Sequence, residues 1–168
     1  MLAYPFESYW KDVGTIASLW EANMDLLKVP PEFDLNDSRW KIYARSPIMP
    51  PHFIGSDAVV EQSMIAERGE VNGSVRGSVL FAGVCVEEGA LIEDSVIMPN
   101  TTVKAGAIIR RAIVAENCVI GENAIVGAEM GDIALIGQDT QLPANYTVSA
   151  GDQVDTDIIS KREAEAHE

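Results

Sequence analysis

The sequence predicts a mainly β protein: a parallel β-helix of hexapeptide repeats, preceded by a short α-helix and a proline-rich linker. The first observation behind this prediction is a ladder of aliphatic residues that recur mostly every five or six positions. A helix repeats about every 3.6 residues and an ordinary strand about every two, so neither period explains the ladder. In a β-helix each rung is a short strand, three rungs complete one triangular coil, and stacked coils bury the aliphatic column. The rungs are Ile54, Val60, Ile65, Val71, Val75, Leu80, Val86, Ile92, Ile97, Val103, Ile109, Val114, Ile120, Val126, Ile136, Leu142, Val148 and Val154.

The second and third observations concern the residues just before the rungs. Two positions before most rungs stands a small side chain, at Ala58, Ser63, Ser78, Ala90, Ser95, Thr101, Ala107, Ala112, Cys118, Ala124 and Thr140. One position earlier there is often a glycine or an asparagine, at Gly83, Gly89, Asn100, Gly106, Asn117, Asn123 and Asn145. Glycine and asparagine tolerate the left-handed backbone of a tight corner. The pattern therefore predicts triangular coils that turn at these positions.

The spacing of the rungs is regular through the middle of the ladder and irregular at two places. From Leu80 to Val114 two consecutive coils repeat at 17 residues, as steps of six, six and five. The phase slips between residues 71 and 75 and again between residues 126 and 136. We expect the coils to depart from the 17-residue repeat at these two places.

The segment before the ladder predicts an amphipathic α-helix of about a dozen residues. Its apolar residues recur at helical spacing and are Ile16, Leu19, Trp20, Met24 and Leu27. Thr15 is a suitable N-cap, and Pro30-Pro31 stops the segment. Because this helix has little of its own to bury its apolar face against, the β-helix and a separate domain are both candidate partners.

These patterns divide the chain into four segments. Residues 1–29 carry the predicted helix, 30–53 form the linker, 54–155 form the β-helix and 156–168 form a polar tail. The linker holds five of the eight prolines, includes a short extended stretch at residues 40–43, and is expected to cap the first coil. Ile158-Ile159 is the only apolar pair of the tail, which fits either a short capping helix or a disordered end.

Composition excludes several classes of function. The 168 residues include 26 acidic and 12 basic side chains, with a formal net charge of −14, so the basic clusters that bind nucleic acid are not expected. No apolar run approaches the roughly 18 residues of a membrane span, and no signal peptide follows Met1. Cys85 and Cys118 both lie in the ladder, which predicts no disulfide framework. We therefore expect a cytoplasmic protein that binds neither nucleic acid nor a membrane.

Several motifs carry a resemblance to a known family. They are Y-W-K-D-V-G-T-I-A-S-L-W-E-A-N-M-D-L-L at residues 9–27, W-K-I-Y at 40–43, P-P at 50–51, S-V-L-F at 78–81 and E-D-S-V-I-M-P-N at 93–100. Together they resemble the C-terminal portion of bacterial ADP-glucose pyrophosphorylase (glucose-1-phosphate adenylyltransferase), from the end of its catalytic domain onward. The similarity runs from about residue 4 to residue 126 and becomes loose after Gly127, where a short insertion at 128–132 precedes the last rungs.

The resemblance implies a left-handed β-helix and a nucleotidyltransferase of glycogen biosynthesis. The family transfers adenylate from ATP to glucose 1-phosphate with Mg²⁺, giving ADP-glucose and pyrophosphate. In sugar nucleotidyltransferases with a W-x-D-x-G-T motif the aspartate is a metal ligand, so the resemblance assigns Asp12 as a candidate Mg²⁺ ligand of the full enzyme. From the residues alone, Asp12 better suits a cap or a solvated position at the helix start.

The rest of the family's catalytic site is not in this sequence. No glycine-rich nucleotide loop precedes a helix, and the resemblance places the other catalytic groups in an N-terminal domain upstream of Met1. The chain is therefore expected to be a C-terminal piece that contains no complete catalytic site, binds no cofactor and is inactive alone. The resemblance also implies that the piece contributes to regulation and to a homo-oligomer, a tetramer in the family.

Effectors of the family are phosphorylated metabolites, which arginine and lysine bind. Arg110 and Arg111 are the only adjacent basic pair of the ladder, and they resemble an R-R pair in the same rung of enterobacterial members. Those members carry an arginine where this sequence has Glu116, and their basic tail is replaced here by a rung-like segment. Arg110 and Arg111 are thus candidate effector contacts, with a solvated wall position as the alternative role.

Three other functions were weighed against the sequence. A hexapeptide acyltransferase would use acetyl-CoA and a histidine as general base, but neither His52 nor His167 lies in a loop that projects from the ladder. A γ-class carbonic anhydrase needs three histidine ligands, and the chain has two. A purely structural solenoid that drives oligomerisation is the third possibility. The sequence does not separate a dimer from a tetramer, because Phe81, Met98 and Met130 suit either surface or interface.

Overall fold

The computed structural model describes residues 3–35, 37–39 and 48–165. Within them, α1 (Ile16–Asp25) and α2 (Thr156–Glu165) flank a run of short strands, and the predicted mainly β fold is confirmed. The strands are β1 (Phe53–Ile54), β2 (Val59–Glu61), β3 (Met64–Ile65), β4 (Glu70–Val71), β5 (Ser74–Arg76), β6 (Val79–Leu80), β7 (Cys85–Val86), β8 (Leu91–Glu93), β9 (Val96–Ile97), β10 (Thr102–Val103), β11 (Ile108–Arg110), β12 (Ala112–Val114), β13 (Val119–Ile120), β14 (Ile125–Gly127), β15 (Ala134–Ile136), β16 (Gln141–Leu142), β17 (Thr147–Val148) and β18 (Gln153–Val154).

The strands form three parallel sheets, each with six strands. Sheet A contains β1, β4, β7, β10, β13 and β16, sheet B contains β2, β5, β8, β11, β14 and β17, and sheet C contains β3, β6, β9, β12, β15 and β18. Every strand therefore pairs with the third strand after it, which makes a parallel β-solenoid of six triangular coils.

Each predicted rung lies in a strand of its own, and the strand register stacks the rungs. In sheet A, for example, Val71 pairs with Val86 and Val86 with Val103. From Val71 to Val154 every rung is at most 3% exposed. Burying an aliphatic side chain contributes about 1.5–3 kcal/mol each, so this column is the main source of stability.

The corners confirm the predicted left-handed positions and add others. The predicted residues have φ of 75° at Gly83, 74° at Gly89, 58° at Asn100, 69° at Gly106, 58° at Asn117, 54° at Asn123 and 60° at Asn145. The corner from sheet B to sheet C also turns through left-handed residues: Gln62 (44°), Gly77 (53°), Asp94 (45°) and Arg111 (44°). Gln62, Asp94 and Arg111 lie outside the predicted glycine and asparagine corners, because the five-residue step leaves a different residue to turn from sheet B to sheet C.

From Ser78 onward the small residues before the rungs are buried inside the corners, and several of their hydroxyls link successive coils. Ser78 Oγ accepts a hydrogen bond from the N–H of Ser95 at 3.0 Å, and Ser95 Oγ accepts one from the N–H of Ala112 at 3.1 Å. Ser63 Oγ accepts in the same way from Ser78. A small hydroxyl therefore replaces a backbone acceptor where a larger side chain would not fit.

The two phase slips appear as coils of unequal length. Val71 pairs with Val86, fifteen residues on, so the second coil is short. Ile120 pairs with Leu142, twenty-two residues on, because residues 128–132 form a loop between β14 and β15. Ile133 directly after this loop is buried.

Helix α1 begins as predicted but is shorter than predicted. Thr15 is its N-cap and forms a capping box with Ser18. The helix ends at Asp25, where the N–H groups of Leu26 and Leu27 bond to the carbonyls of Asn23 and Met24. These bonds span three residues, so the last turn tightens before the prolines are reached.

The two ends of the solenoid differ. At the C-terminal end α2 covers the last coil, where Ile159 is 5% exposed and joins the core, and the Asp155 carboxylate accepts the N–H of Ile158. The tail is therefore a capping helix up to Glu165. At the other end the first-coil rungs Ile54 and Val60 are 39% and 37% exposed. The extended stretch at 40–43 lies outside the described residues, so capping by the linker stays a prediction.

Two further expectations concern the cysteines and the membrane. Cys85 and Cys118 are both free. Burial raises the pKa of both thiols. Neither helix in the described part of the chain is long and apolar enough to cross a membrane.

Candidate functional site

Asp12 lies at the surface directly before α1, within the W-K-D-V-G-T segment. Its Oδ1 accepts a hydrogen bond from the backbone N–H of Gly14 at 3.1 Å. Thr15 then caps the helix, with its Oγ1 accepting the N–H of Ser18 at 3.1 Å. Asp12 therefore stabilises the turn before the cap, while its carboxylate remains exposed to solvent.

The described residues do not form a magnesium site by themselves. Mg²⁺ requires about six oxygen ligands in octahedral geometry, from carboxylates, phosphates or water. Within residues 3–35, 37–39 and 48–165, no group of three or more His, Cys, Asp or Glu side chains could hold a metal ion. Asp12 offers one carboxylate, so its assignment as a Mg²⁺ ligand stays a prediction about a larger assembly.

A cluster of ionic and hydrogen-bonded contacts around the buried Asp25 carboxylate holds the segment that carries Asp12. Asp25 at the end of α1 is 8% exposed, and its Oδ1 lies 2.9 Å from Nζ of Lys28. Its Oδ2 lies 3.0 Å from Nζ of Lys11 and accepts a hydrogen bond from the Tyr9 hydroxyl at 3.0 Å. The hydrogen bond from Lys28, aided by Lys11 and Tyr9, lowers the pKa of Asp25 to about 2 against the opposing effect of burial. Because Lys11 adjoins Asp12, this cluster fixes the Asp12 segment against α1.

Helix α1 packs on the outer face of sheet C, so the solenoid is the partner surface of its apolar face. The contact consists of Ile16, Leu19, Trp20 and Met24 on α1 with Val96, Met98, Ile113, Ile133 and Leu135 on the solenoid. Trp20 Nε1 donates a hydrogen bond to the carbonyl of Asp94 at 2.6 Å. Beyond the helix, the side chain of Gln62 donates to the carbonyl of Leu27 at 3.2 Å.

Arg111 connects α1, the B–C corner and the loop at 128–132. Its Cζ lies 4.9 Å from the ring centroid of Trp20, which is a cation–π contact. Its Nη2 donates to the carbonyl of Gly131 at 3.4 Å. Its Nε is buried and has no hydrogen-bond partner within the described residues.

Arg110 belongs to a row of alternating charges on sheet B, which we call the charged column: Glu61, Arg76, Glu93 and Arg110. Arg110 Nε lies 2.7 Å from Oε2 of Glu93, and Arg76 bridges Glu61 at 3.0 Å and Glu93 at 3.4 Å. The guanidinium of Arg110, more than that of Arg76, lowers the pKa of Glu93. Arg110 also lies 3.8 Å from Glu129 in the loop.

The two predicted effector residues line the same surface cavity of about 370 Å³. Its lining residues are Arg76, Glu93, Asp94, Arg110, Arg111 and Glu129. Three cations thus line the cavity with three carboxylates, and a phosphate that binds Arg110 would compete with Glu93 for its guanidinium. Effector binding at Arg110 and Arg111 stays a prediction.

The histidine required by an acyltransferase has no catalytic partner in the described structure. His52 is exposed beside the first coil, and no hydrogen bond or ion pair joins it to a described residue. It lines an apolar groove with Met64 and Phe81. His167 lies outside the described residues.

Sequence reasoning missed the residues that hold α1 and the Asp12 segment in place. Trp20 was expected to pack, but nothing in the sequence paired it with Asp94 or Arg111. Asp25 and Lys28 are three residues apart, a spacing at which opposite charges meet on a helix, and this was an available signal for part of the cluster.

Comparisons with known proteins agree with this architecture. Residues 49–150 match the family described as GlmU-like, C-terminal hexapeptide. A glucose-1-phosphate adenylyltransferase of Clostridium perfringens (strain SM101 / Type A) is 57% identical over 91 residues, which are 54% of this chain and 24% of that protein. Its counterpart in Bacillus mycoides (strain KBAB4) is 55% identical over 91 residues, with the same 54% and 24% shares. The match thus spans about a quarter of these relatives and lies in their C-terminal part. The resemblance inferred from the motifs is confirmed.

Proposed function

This chain belongs to the GlmU-like, C-terminal hexapeptide family, and we propose that it serves as the C-terminal part of a glucose-1-phosphate adenylyltransferase. The 57% and 55% identity to proteins of that name supports the proposal. The proposed reaction is adenylyl transfer from ATP to glucose 1-phosphate, giving ADP-glucose and pyrophosphate in the cytoplasm. Within it, this part would assemble subunits and transmit regulation.

The docking of α1 on sheet C is the observation that carries the proposal. The W-K-D-V-G-T segment leads directly into α1, and Trp20 binds α1 to the solenoid through Asp94 and Arg111. A solenoid used only as a spacer would not need to hold this segment. The contact supports a role in which the solenoid positions Asp12 for a neighbouring catalytic domain.

Asp12 is proposed as one carboxylate ligand of Mg²⁺, which would screen the phosphates of ATP during the reaction. The remaining ligands and the nucleotide site are proposed to come from the N-terminal catalytic domain that the resemblance implies. The part played by Lys11, Tyr9 and Asp25 is to keep the Asp12 segment in place. On this proposal the isolated chain binds no Mg²⁺ tightly and transfers no adenylate.

Arg110 and Arg111 are proposed contacts for a phosphorylated effector. Glu93 competes for Arg110, and Trp20 covers one face of the Arg111 guanidinium. An effector at this corner would therefore exchange ion pairs rather than fill a free cationic site. Because Arg111 also touches α1, such an exchange would reach the helix that follows Asp12.

The acyltransferase alternative finds no support from the position of His52. A general base needs to lie within hydrogen-bond reach of the proton it removes, and it is commonly oriented by a second group. His52 has no such described partner. A purely structural solenoid remains compatible with the proposal, because assembly is one of the two roles proposed for this part.

The proposal is tested by pyrophosphate release and thermal shift on this chain. With ATP, glucose 1-phosphate and Mg²⁺ we expect no pyrophosphate, and release above the protein-free background would contradict the proposed division of labour. A ligand that binds only the folded state raises the melting temperature with its concentration. A shift with AMP or fructose 1,6-bisphosphate that Arg110→Ala abolishes supports the effector site, and a shift with acetyl-CoA alone overturns the proposal. Arg39→Ala is the control, since Arg39 is an exposed arginine that is likewise paired with a carboxylate, Asp37.

A further inference from the structure

The loop at residues 128–132, which we call the strap, makes one coil of the solenoid longer than its neighbours. In the preceding coil a single residue, Arg111, joins β11 to β12, whereas residues 128–133 join β14 to β15. The strands on either side of the strap remain in register, since β11 pairs with β14 and β12 with β15. All strap residues are exposed. The strap is therefore an addition at one corner that the stacking of the coils does not require.

The strap lies over the two arginines of the preceding corner. Glu129 Oε1 lies 3.8 Å from Nη1 of Arg110. The carbonyl oxygen of Gly131 accepts a hydrogen bond from Nη2 of Arg111 at 3.4 Å. Each guanidinium thus directs one terminal nitrogen to an oxygen of the strap. These are the nitrogens that would bind a phosphate, because a guanidinium binds carboxylate and phosphate oxygens in the same way.

The remaining contacts of the two arginines show that the chain satisfies them incompletely. Nε of Arg110 lies 2.7 Å from Oε2 of Glu93. Nε of Arg111 is buried and has no acceptor among the residues that the structure describes. A buried donor without an acceptor is unfavourable. A ligand with several anionic oxygens would therefore offer this pair more acceptors than the strap does.

The strap is anchored at its two ends and only weakly held in between. At one end a Cβ on Gly127 would collide with the carbonyl oxygen of Arg110, and at the other Ile133 is buried near α1. Between them the side chain of Glu129 is 78% exposed and Met130 is 84% exposed. Exposed ion pairs contribute little to stability. The middle of the strap can therefore leave the arginines without exposing much apolar surface.

We propose that the strap is an autoinhibitory element, which competes with a phosphorylated ligand for Arg110 and Arg111 through the Glu129 carboxylate and the Gly131 carbonyl. When the ligand binds, its phosphate oxygens replace those of the strap in the cavity that both arginines line. The inference rests on the effector contacts proposed above and specifies what limits their affinity.

The first variant removes only the charge of the strap that faces Arg110. Glu129→Gln keeps the size of the side chain and loses the carboxylate. The dissociation constant Kd is measured by isothermal titration calorimetry at constant ionic strength, with fructose 1,6-bisphosphate as the probe. Because an exposed ion pair is weak, we expect binding about two- to fivefold tighter than in the wild type. Glu122→Gln is the matched control, since Glu122 is an exposed carboxylate outside the cavity and its loss should leave Kd unchanged.

The second variant removes the strap itself. Replacing residues 128–133 with one glycine joins Gly127 to Ala134 through a single corner residue and gives this coil the 17-residue repeat of its neighbours. Both competing oxygens are lost, so we expect binding at least about fivefold tighter than in the wild type. Arg110→Ala in the same background should abolish the binding. The variant also lacks the buried Ile133, so circular dichroism must show that it folds, and Glu129→Gln decides the test if it does not.

The possible results separate the strap from the effector site on which it depends. Equal Kd values for the wild type and both strap variants overturn the competition and leave the effector site standing. A gain in the strap-less chain without one in Glu129→Gln overturns the competition by the carboxylate. A probe that binds none of the chains overturns the effector contacts and the strap together, as does tight binding that survives Arg110→Ala. Binding that appears only when the strap is altered, and that requires Arg110, supports the proposal.

Discussion

Trp20 on α1 and Arg111 on the solenoid are in direct contact, with the guanidinium carbon 4.9 Å from the centroid of the indole ring. The same indole donates a 2.6 Å hydrogen bond to the carbonyl of Asp94, the left-handed corner residue of the preceding coil. Trp20 therefore contacts two successive corners between sheets B and C, at Asp94 and at Arg111. This contact joins the segment that carries Asp12 to the corner that carries Arg110 and Arg111.

Trp20→Ala should loosen α1 from sheet C. Truncating a buried tryptophan costs about 3–5 kcal/mol, and because Trp20 is only partly buried we expect about 2–3 kcal/mol, including the loss of the Arg111 contact. Urea denaturation gives the free energy of unfolding, and limited proteolysis reports on α1. Trp10→Ala is the control, because Trp10 is 74% exposed and should change stability by less than about 0.5 kcal/mol. Equal effects of the two substitutions would contradict the docking role of Trp20.

Ser95→Ala should destabilise the solenoid although it removes only one oxygen atom. Ser95 is fully buried, and its Oγ accepts the N–H of Ala112, which the substitution leaves without its acceptor. An unsatisfied buried donor costs about 1–3 kcal/mol. Thermal and urea unfolding measure this loss. Ser56→Ala is the control, since Ser56 is exposed and bonds to its neighbour Asp57. An equal loss of unfolding free energy in both variants would show that the buried hydrogen bond of Ser95 does not stabilise the solenoid.

Gly127→Ala and Gly89→Ala separate two costs at glycines with nearly equal φ, 76° and 74°. A left-handed backbone costs an alanine about 1–2 kcal/mol at either position. At Gly127 the added Cβ would also collide with the carbonyl oxygen of Arg110, whereas at Gly89 its nearest neighbour is the nitrogen of Gly106 at 3.7 Å. We expect Gly127→Ala to be more destabilising by at least about 1 kcal/mol. Denaturant midpoints that coincide for the two variants would disprove the close approach at Gly127.

The Asp25 cluster should contribute to stability in a defined range of pH. The pKa of Asp25 is lowered to about 2 in the folded chain, while the unfolded value is about 3.9. A depressed folded pKa stabilises the fold above the unfolded pKa, and that contribution is lost as the pH falls from about 4 to about 2. Asp25→Asn should therefore cost about 1–2 kcal/mol at pH 7 and progressively less below pH 4.

The measurement for Asp25 is the free energy of unfolding from pH 7 down to the acid limit, compared between wild type and Asp25→Asn. Asp57→Asn is the matched control, because Asp57 is exposed and its bond in the structure is to Ser56. A wild-type-to-variant difference that is independent of pH would show that the Lys11, Lys28 and Tyr9 contacts do not depend on the charge of Asp25.

Much of the fold was predictable because its repeat is short and each position has one role. A rung such as Ile92 must be aliphatic to fill the interior, and a corner such as Asn100 must tolerate positive φ, so both leave a mark in the sequence. The position two residues before a rung must be small because it is buried inside the corner, as at Ser95, and this requirement is also visible in the sequence. The exact corner from sheet B to sheet C was less visible, since Gln62 and Arg111 are not typical of left-handed positions.

The candidate sites were less predictable than the fold. Asp12, Arg110 and Arg111 came from resemblance, and their roles in metal and effector binding remain predictions. The ion pair of Arg110 with Glu93 depends on the register of two strands 17 residues apart in the sequence, and it forms only when their coils stack. The Asp25 cluster joins Tyr9 and Lys11 before α1 with Lys28 after it. Predicting it would have required knowing how the chain runs past both ends of the helix.

The sequence by itself determined the solenoid, because the alternation of rung, corner and small residue is a local requirement repeated in every coil. Only the tertiary structure decided where α1 lies, since an amphipathic helix specifies that a face is buried but not which surface buries it. Sheet C is that surface because Val96, Ile113 and Ile133 present an apolar patch beside two corners that offer Trp20 a carbonyl and a cation. The same assembly of distant residues made one face of sheet B charged in alternation, a property that exists only once the coils are stacked.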